Sequence, residues 1–134
     1  MIDNKPNIDM KYLIFFLIMT TPVFGQNNII DHTEGEHTEF VKSALDKLDI
    51  ENVTLLIRPL NTKKTDSYGR KILAIAFYSK EYPDTYVISI SPSAKRLLVA
   101  HELIHIWQAY NGRPCEKTVS SCEIEADRKK AMVF

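Results

Sequence analysis

After residue 35, the hydrophobic residues of this chain fall into short patterned stretches separated by polar segments. The stretch from Glu36 to Leu48 has apolar side chains at helical spacing, which predicts an amphipathic helix. Three later stretches have the composition of strands: Val53–Arg58, Lys71–Tyr78 and Thr85–Ser91. The connections between them, residues 60–70 and 79–84, are polar and contain Gly69 and Pro83, which predicts hairpins. We therefore expect a small, mainly antiparallel three-stranded sheet.

Two further helices are predicted in the second half of the chain. Ser91-Pro92 is a typical helix start, and Asn111-Gly112 followed by Pro114 is a typical stop, so one helix should run from Pro92 to about Tyr110. Between residues 97 and 107, apolar side chains point in almost every direction, which predicts a buried helix. A last helix should begin near Ser120 or Ser121. The expected fold class is α+β, with the sheet packed against these helices.

The buried helix contains His101-Glu102-Leu103-Ile104-His105. Two histidines four residues apart lie on one face of a helix, so both rings can reach one metal ion. Burying two histidines and a glutamate is costly unless they are paired or bound to metal. Glu102 could touch a metal-bound water without being a ligand, which is the arrangement of a general base in peptide hydrolysis.

A second acidic motif, from Glu123 to Asp127, begins eighteen positions after His105. With it, the sequence resembles the gluzincin metallopeptidases over about residues 92 to 131, and most of all the compact minigluzincins. In that family, HExxH is followed by a second helix that carries ExxxD, often as ExxAD. The resemblance implies one Zn²⁺ per chain, held by His101, His105 and Glu123, with Asp127 supporting His101. It also implies that an edge strand binds extended peptide, and we expect that strand to be Thr85–Ser91.

Two site assignments have alternatives. Ser120 and Glu123 also fit a capping box, in which case Glu125 would be the third ligand. We favour Glu123, because Asp127 follows one turn later on the same face and Glu125 points about 160° further round the helix. For a second group that stabilises the oxyanion, the candidates are Tyr110 and Arg113.

Length and charge add few constraints beyond a single domain. The chain has 134 residues and a formal net charge of zero, so nothing indicates nucleic acid or an anionic membrane as a partner. The apolar run in residues 12–24 predicts a signal peptide that ends at Gly25, with Met10 as an alternative start. The run is shorter than the roughly 20 residues of a spanning helix, although an uncleaved anchor is the alternative reading. Residues 26–134 would then form one exported domain, periplasmic or extracellular.

The two cysteines lie in the segment between His105 and Glu123. An exported protein meets an oxidising compartment, so Cys115 and Cys122 are expected to form a disulfide. The alternative is that both are thiolate metal ligands.

These features predict an exported zinc metallopeptidase that hydrolyses peptide or protein substrates, with Glu102 as the general base. One alternative is a non-catalytic zinc-containing binding protein, and another is a truncated copy of a longer peptidase. The sequence gives no indication of substrate sequence or oligomeric state.

Overall fold

The computed structural model describes residues 2–3, 26–61, 65–66, 68–115 and 120–134. Its strands are β1 (Ile2–Asp3), β2 (Asn28–Asp31), β3 (Thr54–Pro59), β4 (Ala74–Tyr78) and β5 (Thr85–Ile90). Its helices are α1 (Thr38–Lys47), α2 (Arg96–Tyr110) and α3 (Ser120–Lys129), and a 3-10 helix at Lys130–Val133 follows α3. Apart from β1, the predicted signal peptide in residues 1–25 lies outside the described residues. Within the described part of the chain, none of the helices combines the length and the apolar character that crossing a bilayer requires.

The fold is α+β, as predicted, but the sheet is mixed. The strand order is β1-β4-β5-β3-β2. Among the five described strands, only β4 and β5 pair antiparallel, whereas β3 pairs parallel with both β2 and β5, and β1 pairs parallel with β4. The prediction of a three-stranded, mainly antiparallel sheet is therefore wrong in both strand number and direction.

Strand β2 was not expected from the sequence. Parallel neighbours need a crossover of about a dozen residues, and α1 supplies one between β2 and β3. Asn27 stabilises the entry to β2, because its side chain donates to the Ile50 carbonyl at 2.7 Å and accepts from the Val53 amide at 3.1 Å. Only two apolar residues, Ile29 and Ile30, mark this strand in a polar stretch.

The segment between β3 and β4 is not a hairpin, because both strands pair with β5 from opposite sides. The predicted hairpin at residues 79–84 does join β4 to β5. Strand β5 consequently lies inside the sheet, and its residues from Tyr86 to Ile90 are all buried. The expectation that Thr85–Ser91 forms an edge strand is wrong.

Helices α1 and α2 pack on one face of the sheet and enclose the main core. In α2, Leu103 and Ile104 are completely buried, and each such side chain contributes about 1.5–3 kcal/mol by leaving water. A smaller cluster lies on the opposite face of the sheet and consists of Leu56, Ile75, Phe77 and Val87. Because α2 packs in the core, several of the polar side chains that it carries are buried among apolar ones.

Helix α2 starts four residues later than predicted. The Ser91 carbonyl accepts from the Ala94 amide at 3.0 Å, so Ser91-Pro92 forms a turn instead of the first helical residues. Lys95 is still extended, with φ −79° and ψ 153°, and the helix begins after it. The predicted stop is confirmed: Gly112 has φ +76°, a left-handed conformation that favours glycine.

Candidate metal centre

The two histidines of α2 lie side by side, as expected from their spacing. The Nε2 atoms of His101 and His105 are 3.1 Å apart. The side chain of His105 is fully buried and that of His101 is 13% exposed. One face of α2 therefore brings two imidazole nitrogens close enough together to bind the same metal ion.

Helix α3 packs against α2 and brings Glu123 to that point. One carboxylate oxygen, Oε2, lies 3.0 Å from His101 Nε2, and the other, Oε1, lies 3.2 Å from His105 Nε2. Ala126, three residues later, is completely buried and packs in the core, which fixes how α3 is rotated. His101, His105 and Glu123 thus converge, although they come from separate helices.

The separation of these donor atoms fits a zinc ion. Zinc binds histidine nitrogen and carboxylate oxygen at about 2.0–2.2 Å, so two ligands of a tetrahedral ion lie about 3.3 Å apart. The observed separations between the Nε2 atoms and the Glu123 oxygens are 3.0 to 3.2 Å. Two histidines with one carboxylate are also a common catalytic zinc ligand set.

The second ring nitrogen of each histidine is held by a hydrogen bond. Asp127 Oδ1 lies 3.0 Å from His101 Nδ1, and it also accepts from Lys130 Nζ at 3.0 Å. Gln108 Oε1 lies 2.8 Å from His105 Nδ1. Both partners can accept, so each Nδ1 can donate, and in the metal-bound form this tautomer would leave the Nε2 lone pair to face the convergence point.

Gln108 was missed in the sequence, although it is 1% exposed and lies one turn after His105. Its amide group donates to the Cys122 carbonyl at 2.9 Å and to Glu125 Oε1 at 2.9 Å. The sequence did contain a signal for Gln108, because it lies in a helix that is apolar on all sides. A buried amide needs hydrogen-bond partners, so other polar groups had to lie near it.

The surroundings of His101 and Glu123 stabilise the positively charged form of the histidine and the negatively charged form of the glutamate. Burial lowers the pKa of His101, but the hydrogen bond to Glu123 and the charge of Glu102 outweigh it and hold that pKa above 6.5. Hydrogen bonds from His101 and then His105 hold the pKa of Glu123 far below its ordinary 4.5. The site thus favours a positive charge on His101 next to the negative charge of Glu123.

Glu102 lies beside this cluster and is 3% exposed. Its Oε2 accepts a hydrogen bond of 3.2 Å from the backbone amide of Ala76 in β4. A carboxylate oxygen of Glu102 and ring nitrogens of His101 and His105 all lie within 4.8 Å of one another. The contact with β4 fixes this carboxylate next to the convergence point.

Three other candidate residues lie elsewhere. Glu125 contacts Gln108 and Arg113 Nη1, the latter at 3.4 Å, and does not join the histidine pair. Arg113 also stacks over the Trp107 ring, 5.3 Å from its centroid. The Tyr110 hydroxyl lies 3.4 Å from the Glu51 amide. The structure therefore does not place Tyr110 or Arg113 where an oxyanion would form.

The predicted disulfide between Cys115 and Cys122 is present, with Cα atoms 5.6 Å apart. It closes a short loop directly before Glu123 and joins the end of α2 to the start of α3. The alternative that both cysteines are free metal ligands does not hold for this disulfide-bonded form.

The site opens on a cleft of about 1050 Å³. His101, Glu102, Glu123 and Asp127 line it on one side. Apolar and basic side chains form part of its walls, among them Ile72, Leu73, Leu97, Leu98, Lys71 and Lys95. The cleft is wide enough to admit a ligand far larger than water.

Comparison with known proteins gave no match among family models, curated proteins or solved structures. The chemistry of the site is therefore inferred from its own residues.

Proposed function

We propose that this protein is an exported zinc-dependent metallopeptidase of the gluzincin type. The observation that carries the proposal is the meeting of His101 Nε2, His105 Nε2 and the Glu123 carboxylate, with separations of 3.0 to 3.2 Å. The contact of Asp127 with His101 Nδ1 and the position of Glu102 beside both histidines support the roles proposed for them from the HExxH and ExxAD motifs. Each of the five motif residues thus has a distinct place around one point.

His101, His105 and Glu123 would hold the zinc ion. When bound, zinc supplies a Lewis acid that polarises the scissile carbonyl and makes a water molecule more acidic. Glu102 would accept the proton of the attacking water and deliver it to the leaving amine. Its hydrogen bond from the Ala76 amide uses one carboxylate oxygen and holds the side chain in place for that transfer.

The substrate is proposed to be a peptide or protein segment bound in the cleft in extended form. Since β5 lies inside the sheet, the strand next to the site is β4, which carries Ala76. Pairing of β1 with the outer side of β4 illustrates that this edge accepts an added strand. Removal of residues 1–25 with a signal peptide would leave the β4 edge open to substrate.

A non-catalytic zinc protein is the second candidate, and one observation favours it. The two residues considered as oxyanion donors are held away from the site, Tyr110 by the Glu51 backbone and Arg113 by Glu125. Retention of Glu102 favours the enzyme instead, because a purely structural zinc site needs no base. The two functions share the metal site and differ only in turnover.

Metal content tests the shared part of the proposal. Purified protein should hold about one zinc per chain, since three protein ligands are typical of catalytic zinc. A variant with both His101→Ala and His105→Ala should lose it. Full zinc occupancy in that double variant, with the fold intact, would exclude this site as the zinc site.

Cleavage of a mixed peptide library separates the enzyme from the binding protein. Glu102→Gln keeps the shape of the side chain but removes its basicity, so cleavage should fall about 10²–10⁴-fold while zinc stays bound. Equal cleavage by both forms would mean that Glu102 is not the base. No cleavage by the zinc-loaded wild type would favour the binding protein.

A further inference from the structure

The disulfide lies against the proposed zinc ligands. Cys115 is 2% exposed, and its sulfur lies 3.8 Å from Glu123 Oε1. Potential ligand atoms of His105, Cys115 and Glu123 all lie within 4.8 Å of one another. This group shares two residues with the proposed zinc site, so a sulfur atom lies within reach of the same ion.

The oxidation state of Cys115 decides whether that sulfur can bind. The thiolate is the metal-binding form of cysteine, and a disulfide sulfur carries no such charge. A sulfur and an oxygen bound to one tetrahedral zinc lie about 3.5 Å apart, given bond lengths of about 2.3 and 2.0 Å. The observed 3.8 Å between Cys115 Sγ and Glu123 Oε1 is close to that value.

We propose that the Cys115–Cys122 disulfide is a redox switch of the metal site, and that reduction makes Cys115 a fourth protein ligand. The inference rests on the proposed zinc site. In the oxidised protein, the disulfide keeps Cys115 from binding, and the place for a water molecule stays open. In the reduced protein, Cys115 takes that place, and Glu102 has no water to deprotonate.

In the cell, a dithiol can supply the two electrons for the reduction step. Its thiolate attacks one sulfur of the disulfide, the S–S bond breaks, and a mixed disulfide forms. The second thiol of the reductant resolves it, so the reductant leaves as a disulfide and both cysteines become thiols. Two electrons and two protons are transferred in all. When Cys115 then binds the metal, its proton goes to solvent.

Cys115 is assigned as the ligand instead of Cys122 because of its position. It is buried next to Glu123, and the chain before it is fixed to α2 through the Arg113 amide, which donates to the Gln108 carbonyl at 2.9 Å. Cys122 does not belong to either of the metal-capable groups found in the described residues. Breaking the disulfide should therefore leave Cys115 near the ligands.

The switch would match activity to compartment. In a reducing environment before export, Cys115 would bind the metal and exclude the water molecule. In an oxidising environment after export, the disulfide would leave that position to water. An exported peptidase would thereby be silent inside the cell that makes it.

Cobalt substitution of the full-length chain tests this proposal directly. Co²⁺ bound by thiolate shows a sulfur-to-cobalt charge-transfer band in the near ultraviolet, whereas its visible d–d bands report binding by any ligand set. Oxidised wild type should show only the d–d bands. A phosphine reduces the disulfide with one water molecule, which supplies the oxygen of the phosphine oxide and the protons of the two thiols. Once the phosphine has been removed and cobalt is added, the charge-transfer band should appear.

Two single variants form a matched pair, because each carries one thiol. Cys122→Ser leaves Cys115 free and should show the charge-transfer band without any reductant. Cys115→Ser leaves Cys122 free and should lack the band. Peptide cleavage by Cys122→Ser should be lost.

Each outcome decides a separate point. If reduced wild type and Cys122→Ser show d–d bands alone, the switch is refuted and the metal site stands. A charge-transfer band in Cys115→Ser would refute the assignment to Cys115. Should Cys122→Ser not fold, the reduced wild type still gives the answer. Absence of all cobalt bands in oxidised wild type would contradict the proposed metal site itself.

Discussion

Gln108 Oε1 lies 2.8 Å from Nδ1 of His105, and both side chains are buried. The amide of Gln108 also donates to the Cys122 carbonyl and to Glu125 in α3. One side chain therefore sets the tautomer of a proposed ligand and ties the helix of the histidines to the helix of Glu123. The alignment of the two helices depends on this contact as well as on apolar packing.

We predict that Gln108→Leu lowers zinc affinity by about 10–100-fold, the range typical of residues that support a metal ligand. The change leaves His105 Nδ1 without its Gln108 partner, which costs about 1–3 kcal/mol in the free energy of unfolding. Competition with a chromophoric chelator measures the affinity. Asn111→Ala is the control, because its side chain donates to the Trp107 carbonyl at the exposed end of the same helix. Unchanged affinity in a folded Gln108→Leu protein would refute this role.

We predict that Asp127→Ala weakens zinc binding by about 10–100-fold while the fold remains. The carboxylate is 64% exposed, so its removal opens no cavity, and the loss of zinc affinity should come from the His101 contact. The exposed ion pair with Lys130, which is also lost, should contribute little to stability. Chelator competition and a thermal melt together separate the two effects. Arg128→Ala, at the exposed neighbouring position, serves as control. Equal affinity of Asp127→Ala and Arg128→Ala would show that Asp127 does not support the site.

The pH dependence of stability should differ between metal-free and zinc-loaded protein. The pKa of His101 is raised, so its contribution to the free energy of unfolding is complete below pH 6.5 and is lost as the pH rises through the higher folded value. The pKa of Glu123 is lowered, so its contribution is present above pH 4.5 and is lost as the pH falls through the lower folded value. Both contributions are complete between pH 4.5 and pH 6.5, so metal-free protein should be most stable in that range.

Above the pKa of His101, bound zinc should make the protein more stable as the pH rises, whereas the metal-free protein becomes less stable. Metal binding requires deprotonated histidine, so the stabilisation by zinc grows as the pH rises through the pKa of His101. Thermal melts from about pH 3 to about pH 9, with and without zinc, measure both profiles. Glu123→Gln removes the hydrogen-bonded carboxylate, one of the two groups that raise the pKa of His101, and should make the metal-free profile less steep above pH 6.5. Identical profiles with and without zinc would contradict a zinc site that contains His101.

Local chemistry made part of the site predictable from sequence. His101 and His105 meet because helical spacing alone places positions four apart on one face. The approach of Glu123 and Asp127 depends on how α3 packs, and the sequence indicated it only through the resemblance to a known motif pair. Gln108 was not found, because one polar residue in an apolar helix does not alter the helical pattern.

The sheet was less predictable, since strand partners depend on the path of the whole chain. β3 and β4 are consecutive in sequence, yet β5 lies between them, and alternation of apolar residues carries no information about that order. Ile29 and Ile30 form a strand only because α1 returns the chain beside β3. At Ser91-Pro92, a side-chain and backbone turn took the place of the expected helix start.

The double variant Cys115→Ser, Cys122→Ser should lower the free energy of unfolding by about 2–3 kcal/mol, which is the chain-entropy value for a loop of this length. The two cysteines are seven positions apart, so the effect on the unfolded chain is modest. Zinc affinity should fall little, because the ligands remain and neither serine supplies a thiolate. Urea denaturation of oxidised wild type and of the double variant, both metal-free, measures the difference. An unchanged denaturation midpoint would show that the disulfide does not stabilise the fold, whereas loss of zinc would show that the bridge is needed to position Glu123.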